Sequence, residues 1–439
     1  MGTGTGSLTE NLTLTVTPSS AVTPPVVVPP VVVPPVVTPP VVTPPVVIPP
    51  VVLPGTVSID AVTLDQGNPV VGPKGGGGTL QLTGGGVFDL STPDSITNIA
   101  TINAQEGTGA SAQTVYLTDG TKFAVNVQAD SNSLTPQTSG IVIYGAENAD
   151  IITAGVGHDI VYLAGSESLT GGSGVANVHI TGDTANNVIG SGSGSINLVV
   201  DGGGEVKLGA NVTKASSVAL STNTHFTANG LAGLQITGSA AGHDVITLGA
   251  ASQCVVAGGA NETIKASAAF AGASVSGLGA NSTLEITSAG NVTLNAATNV
   301  ALIKMDAPGQ LQLNGMQFIT ANGMVAGDTI MAGGINQTLG SARGHDTLVG
   351  FTSGQDFFKG SAAGLNADMI KGFLASDTIN VTNLSFTNAV LKTSVSGGVT
   401  SLSLFSGGIN THINLAGVFG ASGFKLASDG HGGTLITHV

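Results

Sequence analysis

Residues 145–162, GAENADIITAGVGHDIVY, divide into two nines that fall in phase. Gly145-Ala-Glu-Asn148-Ala-Asp150-Ile-Ile152-Thr is followed by Ala154-Gly155-Val-Gly157-His-Asp159-Ile-Val161-Tyr162. Each nine opens on a small or turn-forming pair. Gly or Asn comes next, an Asp two places later, and a β-branched apolar residue two beyond that. Gly accepts the sharp, often left-handed backbone of such a turn without steric cost, and Asn tolerates it. In the short strand that follows, alternate apolar side chains point inward and stack on the next coil. The Asp carboxylate and the turn carbonyls are hard oxygen donors, which Ca²⁺ prefers.

The two nines are close to the pattern G-G-x-G-x-D-x-U-x. On these residues the chain resembles the repeat-in-toxin (haemolysin-type calcium-binding) proteins exported by type I secretion in Gram-negative bacteria. The resemblance implies an all-β chain. The expected architecture is a parallel β-helix or β-roll solenoid with a C-terminal β-rich cap and a disordered Pro-rich N-terminal segment. It also implies Ca²⁺ as the cofactor and a secreted, extracellular or cell-surface location.

Beyond residue 162 the pattern persists in degenerate form. Gly171 to Val178 keeps the glycines and loses the Asp, and Ser239-Ala-Ala-Gly242-His-Asp244-Val-Ile246 matches again. Between about 200 and 340, apolar patches of strand length such as VKLGANV, LQITG, LEITS and LQLNG recur between Gly and Asn turns. Identical small turns recurring in register favour stacked coils over a sandwich. Asn stacks would replace lost calcium ligands by hydrogen bonding. Lys, Glu and Arg are scarce and no 3.6-residue periodicity stands out, so no element needs a helix.

Five regions follow. Residues 1–22 are Thr-, Ser- and Gly-rich and read as disordered. Residues 23–54 carry the five-residue repeat PPVV(V/T/I/L), which reads as a polyproline II linker. Residues 55–140 form a solenoid or hairpin region. There Val115–Leu117 and Phe123–Val127 flank the Asp119-Gly120 turn as an expected hairpin. The run Gly75–Gly78 lacks a following GK[ST] and is no phosphate loop. Residues 141–340 are the degenerate repeat solenoid, and 341–439 a repeat-like region with a type I secretion signal.

In that last region Gly344-His-Asp346, Asp356, Asp368 and Asp377 recur at ten, twelve and nine residues. Two hairpins are expected, one from Val399–Phe405 with Gly408–Leu415. The other pairs Phe424–Ala427 with Thr434–Ile436 across Asp429 to Gly433. The ending ASDGHGGTLITHV is similar to the termini of type I secreted proteins, which implies the secretion machinery as a partner. The N-terminal residues have no basic and apolar regions of a signal peptide. No apolar run of about twenty residues escapes Pro and Gly interruption, so no transmembrane segment is expected.

The resemblance makes Asp150 and Asp159, with Gly145, Asn148, Gly155 and Gly157, one set of calcium candidates. Gly344, Asp346, Asp356, Asp368 and Asp377 are the other. The alternative for each Asp is a turn cap. Successive residues point to opposite sides, so His158-Asp159, His243-Asp244 and His345-Asp346 need not share a ligand, and their histidines read as solvent-facing. The formal net charge is −14 and Arg343 is the sole arginine, which argues against nucleic acid. Cys254 is the lone cysteine, so no intramolecular disulfide forms. No nucleophile elbow or HExxH motif is present. The expectation is a non-enzymatic adhesin or matrix protein that binds a surface glycan or self-associates. A β-helix lyase or epimerase is the alternative; such enzymes use clustered Asp, Lys and Arg with aromatic sugar platforms, and the absence of Trp and the isolated lysines make that catalytic groove hard to build.

Overall fold

The structure is a computed structural model. It describes residues 55–129, 139–146, 149–164, 166–180, 188–190, 192–250, 252–256, 258–269, 275–276, 281–295 and 300–439. Leu53–Val439 forms one compact unit. The expectations for residues 1–22 and 23–54, and for Asn148, lie outside the described residues.

Leu53–Val439 contains a parallel β-solenoid. Within its coils, strands adjacent in sequence do not pair with each other; each pairs with the strand one full coil on. Gln113–Tyr116 pairs in parallel with Ile141–Tyr144, skipping Ala124–Gln128, which pairs with Ile99–Gln105 and Ile151–Thr153. Each coil thus gives one strand to each of two sheets. Val161 lies beside Val178, a step of 17 residues, and Thr347 beside Met369, a step of 22. That length is about two nonapeptides. Nearer the N-terminus the step is longer, 28 from Val115 to Ile143.

The sheets overlap along the stack. A seven-stranded sheet ends at Val188–Gly190, and a twelve-stranded sheet begins at Gly204–Lys207. The ten-stranded sheet runs past that change and ends at Val275–Ser276, where an eight-stranded sheet takes over at Gly290–Asn295. Because the two changes fall at different coils, one sheet always bridges the other's break.

Alternation in each strand sends every second side chain inward. Phe226, Ile246, Ile264, Leu284, Ile303 and Leu339 belong to one row down the twelve-stranded sheet and are fully buried. The outward rows mix aliphatic positions such as Val87 and Ile151 with polar and aromatic runs. Tyr116, Tyr144, Tyr162 and His179 stack ring on ring with centroids 4.3–4.5 Å apart. His179 Nδ1 then meets Asp201 Oδ2 at 2.7 Å. Asn197 donates to Asn177 at 3.2 Å and Ser217 to Asn197 at 2.9 Å, so this amide stacking lies on a strand face.

The expected hairpin at Asp119-Gly120 does not form. Gln113–Tyr116 and Ala124–Gln128 lie in different sheets, and that turn carries the chain from one to the other. The two C-terminal hairpins do form. Val399–Ser406 pairs antiparallel with Ile409–Ala416, and Phe424–Ser428 with Thr434–His438. They close the stack: Ile409–Ala416 pairs with Met369–Lys371, and Thr434–His438 with Thr378–Val381. The two long sheets run unbroken past residue 341, and every antiparallel strand pair among the described residues includes a strand that follows Val381. Phe358, Phe373, Phe419 and Phe424 form a chain of ring contacts from the coil interior into the hairpins.

Candidate functional site

The repeat acids gather at the edges of the coils, where the chain turns from one sheet into the other. The residue just before the edge position often has left-handed backbone. His243, Asn261, Asn281, Asn336, His345 and Ala367 have φ between 58° and 65°, and Gly327 has 93°. They precede Asp244, Glu262, Ser282, Gln337, Asp346, Asp368 and Asp328 in turn. Asn and His are among the residues that tolerate this conformation. The histidines of these two GHD triplets are therefore turn residues, exposed while their aspartates are buried.

The turn aims the acid inward, and its carboxylate bonds two coils. Asp346 Oδ1 accepts the N–H groups of Gly327 and Asp328 at 2.8 and 2.9 Å, one coil back, and Oδ2 accepts from Ser341 Oγ at 2.8 Å. The Asp346 N–H donates in turn to Asp368 Oδ1 at 2.8 Å. The other edge repeats the scheme. Asp356 accepts from Gln337 N at 3.1 Å and from Phe351 N at 2.6 Å, and its own N–H donates to Asp377 at 2.9 Å. Asp244 accepts from Thr224 N, one coil back, and from Ser239 N in its own turn. The recurrence at ten, twelve and nine residues thus belongs to two ladders, Asp346 with Asp368 and Asp356 with Asp377.

The first set of candidates is used in the same way. Asp150 Oδ1 accepts from Phe123 N at 2.7 Å, and Asp159 Oδ2 from Gly155 N at 2.6 Å. Gly157 N–H donates to Glu106 Oε1 at 2.8 Å. The carbonyls of Gly155, Gly157 and Tyr162 accept N–H groups from Gly174, Val175 and Gly145 respectively. Glycine is required where turns stack: a Cβ on Gly174 would lie 2.1 Å from the Gly157 oxygen. Gly344, with φ of 75°, donates to Ser341 Oγ at 3.3 Å.

Five edge residues escaped the sequence reading: Glu106, Glu167, Glu262, Asp328 and Gln337. Asp328 was legible, since AGDTIM repeats the order turn glycine, Asp, β-branched strand. Glu167, Glu262 and Gln337 were not, because a longer side chain reaches the same backbone groups from the same place. Glu167 Oε1 accepts from Ala164 N, and Gln337 Oε1 from Gly333 N.

Burial disfavours the charged carboxylate. Desolvation pushes Asp368 up to about 7. It pushes Glu262 to about 7 with help from Asp244. Asp328 rises to about 6 beside Asp346, and Asp159 to about 6 beside Glu106. None of the ion pairs among the described residues reaches these groups. Asp150 Oδ2, Asp159 Oδ1, Glu262 Oε2, Asp328 Oδ2 and Asp368 Oδ2 are buried without a well-formed hydrogen bond. Two of these oxygens, on Asp328 and Asp368, lie on the edge that also holds Asp346. Among the described residues no three His, Cys, Asp or Glu side chains converge as a preformed metal shell.

Fold and ladders together define the class: a parallel two-sheeted β-solenoid of the β-roll kind. No family model, no curated protein and no solved structure matches the chain.

Proposed function

We propose that this chain is a secreted, non-enzymatic rod of a cell surface or extracellular matrix, of adhesive or structural type. Its coils are locked at their edges by protons or by Ca²⁺. The observation that carries this reading is the inward use of the acids. Each of Asp346, Asp356, Asp368 and Asp377 is buried and holds a backbone N–H of the coil before it. The repeats therefore serve to build the stack, and the rod's outer faces are what it offers to others. Among the described residues no helix is long and apolar enough to cross a membrane.

Near neutral pH the edge of Asp328, Asp346 and Asp368 gathers negative charge in a dry place. A divalent cation of hard character neutralises two carboxylates at once, and Ca²⁺ outside cells is the abundant one. Export through the C-terminal hairpin region by a type I machinery would place the chain there. Binding in the extracellular range, on the order of 10⁻⁴–10⁻³ M, suits such a site.

A Ca²⁺ titration of the whole chain after EDTA treatment, followed by far-UV circular dichroism and melting, tests this. Ca²⁺ should raise the melting midpoint, and the double variant Asp328→Asn, Asp368→Asn should abolish the response. A folded chain indifferent to Ca²⁺ at neutral pH would remove the cation and leave protonation as the lock.

A further inference from the structure

Two rows of side chains run along the outer side of the twelve-stranded sheet. Thr320, Thr338, Phe357 and Thr378 are neighbours in one. Lys304, Asn322, Gly340, Lys359 and Asn380 follow one another in the second. A groove of about 740 Å³ opens along these rows, lined by Asn322 and Lys359 of the second and by Thr320, Thr338 and Phe357 of the first. Asn322 Oδ1 stands 2.0 Å from where a Cβ at position 340 would lie, so the Asn322 amide folds over the glycine.

The charge in this row is uneven. Earlier along it, Lys265 and Lys304 both pair with Glu285, at 3.7 and 3.1 Å. Lys359 is exposed, has Gly340 and Asn380 as its row neighbours, and makes none of the ion pairs found among the described residues. It is a cation left over on a chain of net charge −14. Phe357 offers a partly exposed ring beside it, and none of the ring contacts among the described residues involves that ring.

We propose that this groove binds a segment of an acidic polysaccharide, a chain carrying uronate carboxylates. Lys359 takes one carboxylate, Asn322 and Thr338 take sugar hydroxyls, and the Phe357 ring lies against the apolar side of a sugar ring. A lone ammonium suits a single carboxylate as a point charge. Nucleic acid needs clustered basic groups, which this face lacks. An apolar peptide would cover Asn322 and Lys359 without partners, at the desolvation cost of each. The inference rests on the reading of the chain as an extracellular surface protein and names what one face of it holds.

Calorimetric titration of the full chain in EDTA with an oligogalacturonate tests it, with a neutral oligosaccharide of equal length as comparison. The uronate chain should bind, and the neutral one should bind at least about tenfold more weakly. Lys359→Gln, an exposed substitution, should lose about tenfold in affinity with an unchanged melting midpoint, and Phe357→Ala should weaken both sugars. No binding of the oligogalacturonate, or equal affinity in Lys359→Gln, overturns the proposal. The calcium and pH response of the edge ladders is read separately on the same proteins. An intact response with no sugar binding condemns the groove alone.

Discussion

At position 345 a histidine holds φ of 64°, and at position 243 another holds 65°. A left-handed conformation costs an ordinary side chain about 1–2 kcal/mol, most for a β-branched one. His345→Asn should therefore leave stability unchanged, and His345→Val should lower it by about 1–2 kcal/mol; urea unfolding of both variants checks this. The GHD triplets advertised a metal or catalytic site, yet alternation already placed their histidines outside. What the residues alone could not supply was the reason for a histidine there, because φ is set by how the turn meets the strand. The aspartate one coil on, Asp368, is separable into acceptor and charge. Asp368→Asn keeps an oxygen for the Asp346 N–H and removes a buried charge, so at about pH 8 it should be neutral or stabilising. Asp368→Ala leaves that N–H unsatisfied and should cost about 1–3 kcal/mol. Equal losses in the two variants would show that the charge itself holds the coil.

At the scale of the coil, the short strands, the tight turns and the inward aliphatic positions were all legible from 145–162. The partner of each strand was less so. An Asp-Gly turn between two alternating runs, as at 113–128, carries the local marks of a hairpin. Only the strands one coil away decide that Gln113–Tyr116 and Ala124–Gln128 belong to different sheets, and no local pattern contains them. Likewise the spacing of Asp346, Asp356, Asp368 and Asp377 looks uneven until the two edges are counted separately. Within the stack, Leu284 touches the interior between Ile264 and Ile303. Leu284→Ala should cost about 2–5 kcal/mol, as a large-to-small change in a packed interior does. Hydrogen exchange should place the loss in the neighbouring coils, since a solenoid couples nearest neighbours.

For the solenoid as a whole, the C-terminal hairpins cover the last strands of both long sheets. Removing residues 382–439 would bare the edges of Met369–Lys371 and Thr378–Val381. Bare edges template pairing with other chains. Light scattering should then show association of the truncated chain at concentrations where the full chain scatters less. Ionisation also acts across the whole stack. Asp159, Asp328, Asp368 and Glu262 ionise at higher pH in the folded chain than their ordinary values of 3.8 and 4.5. The folded state then binds more protons than the unfolded one between those values and about 6–7. Stability is fully present below the ordinary values and is lost as pH rises through the folded ones.

The most direct measurement is the melting midpoint of the full chain in EDTA as pH falls from about 8 to about 5, alongside Asp368→Asn. A midpoint that rises through the range near 6–7, with a smaller rise in the variant, is the expected result. A midpoint that stays flat or falls, or an identical rise in the variant, would contradict the claim that buried edge carboxylates lock the coils.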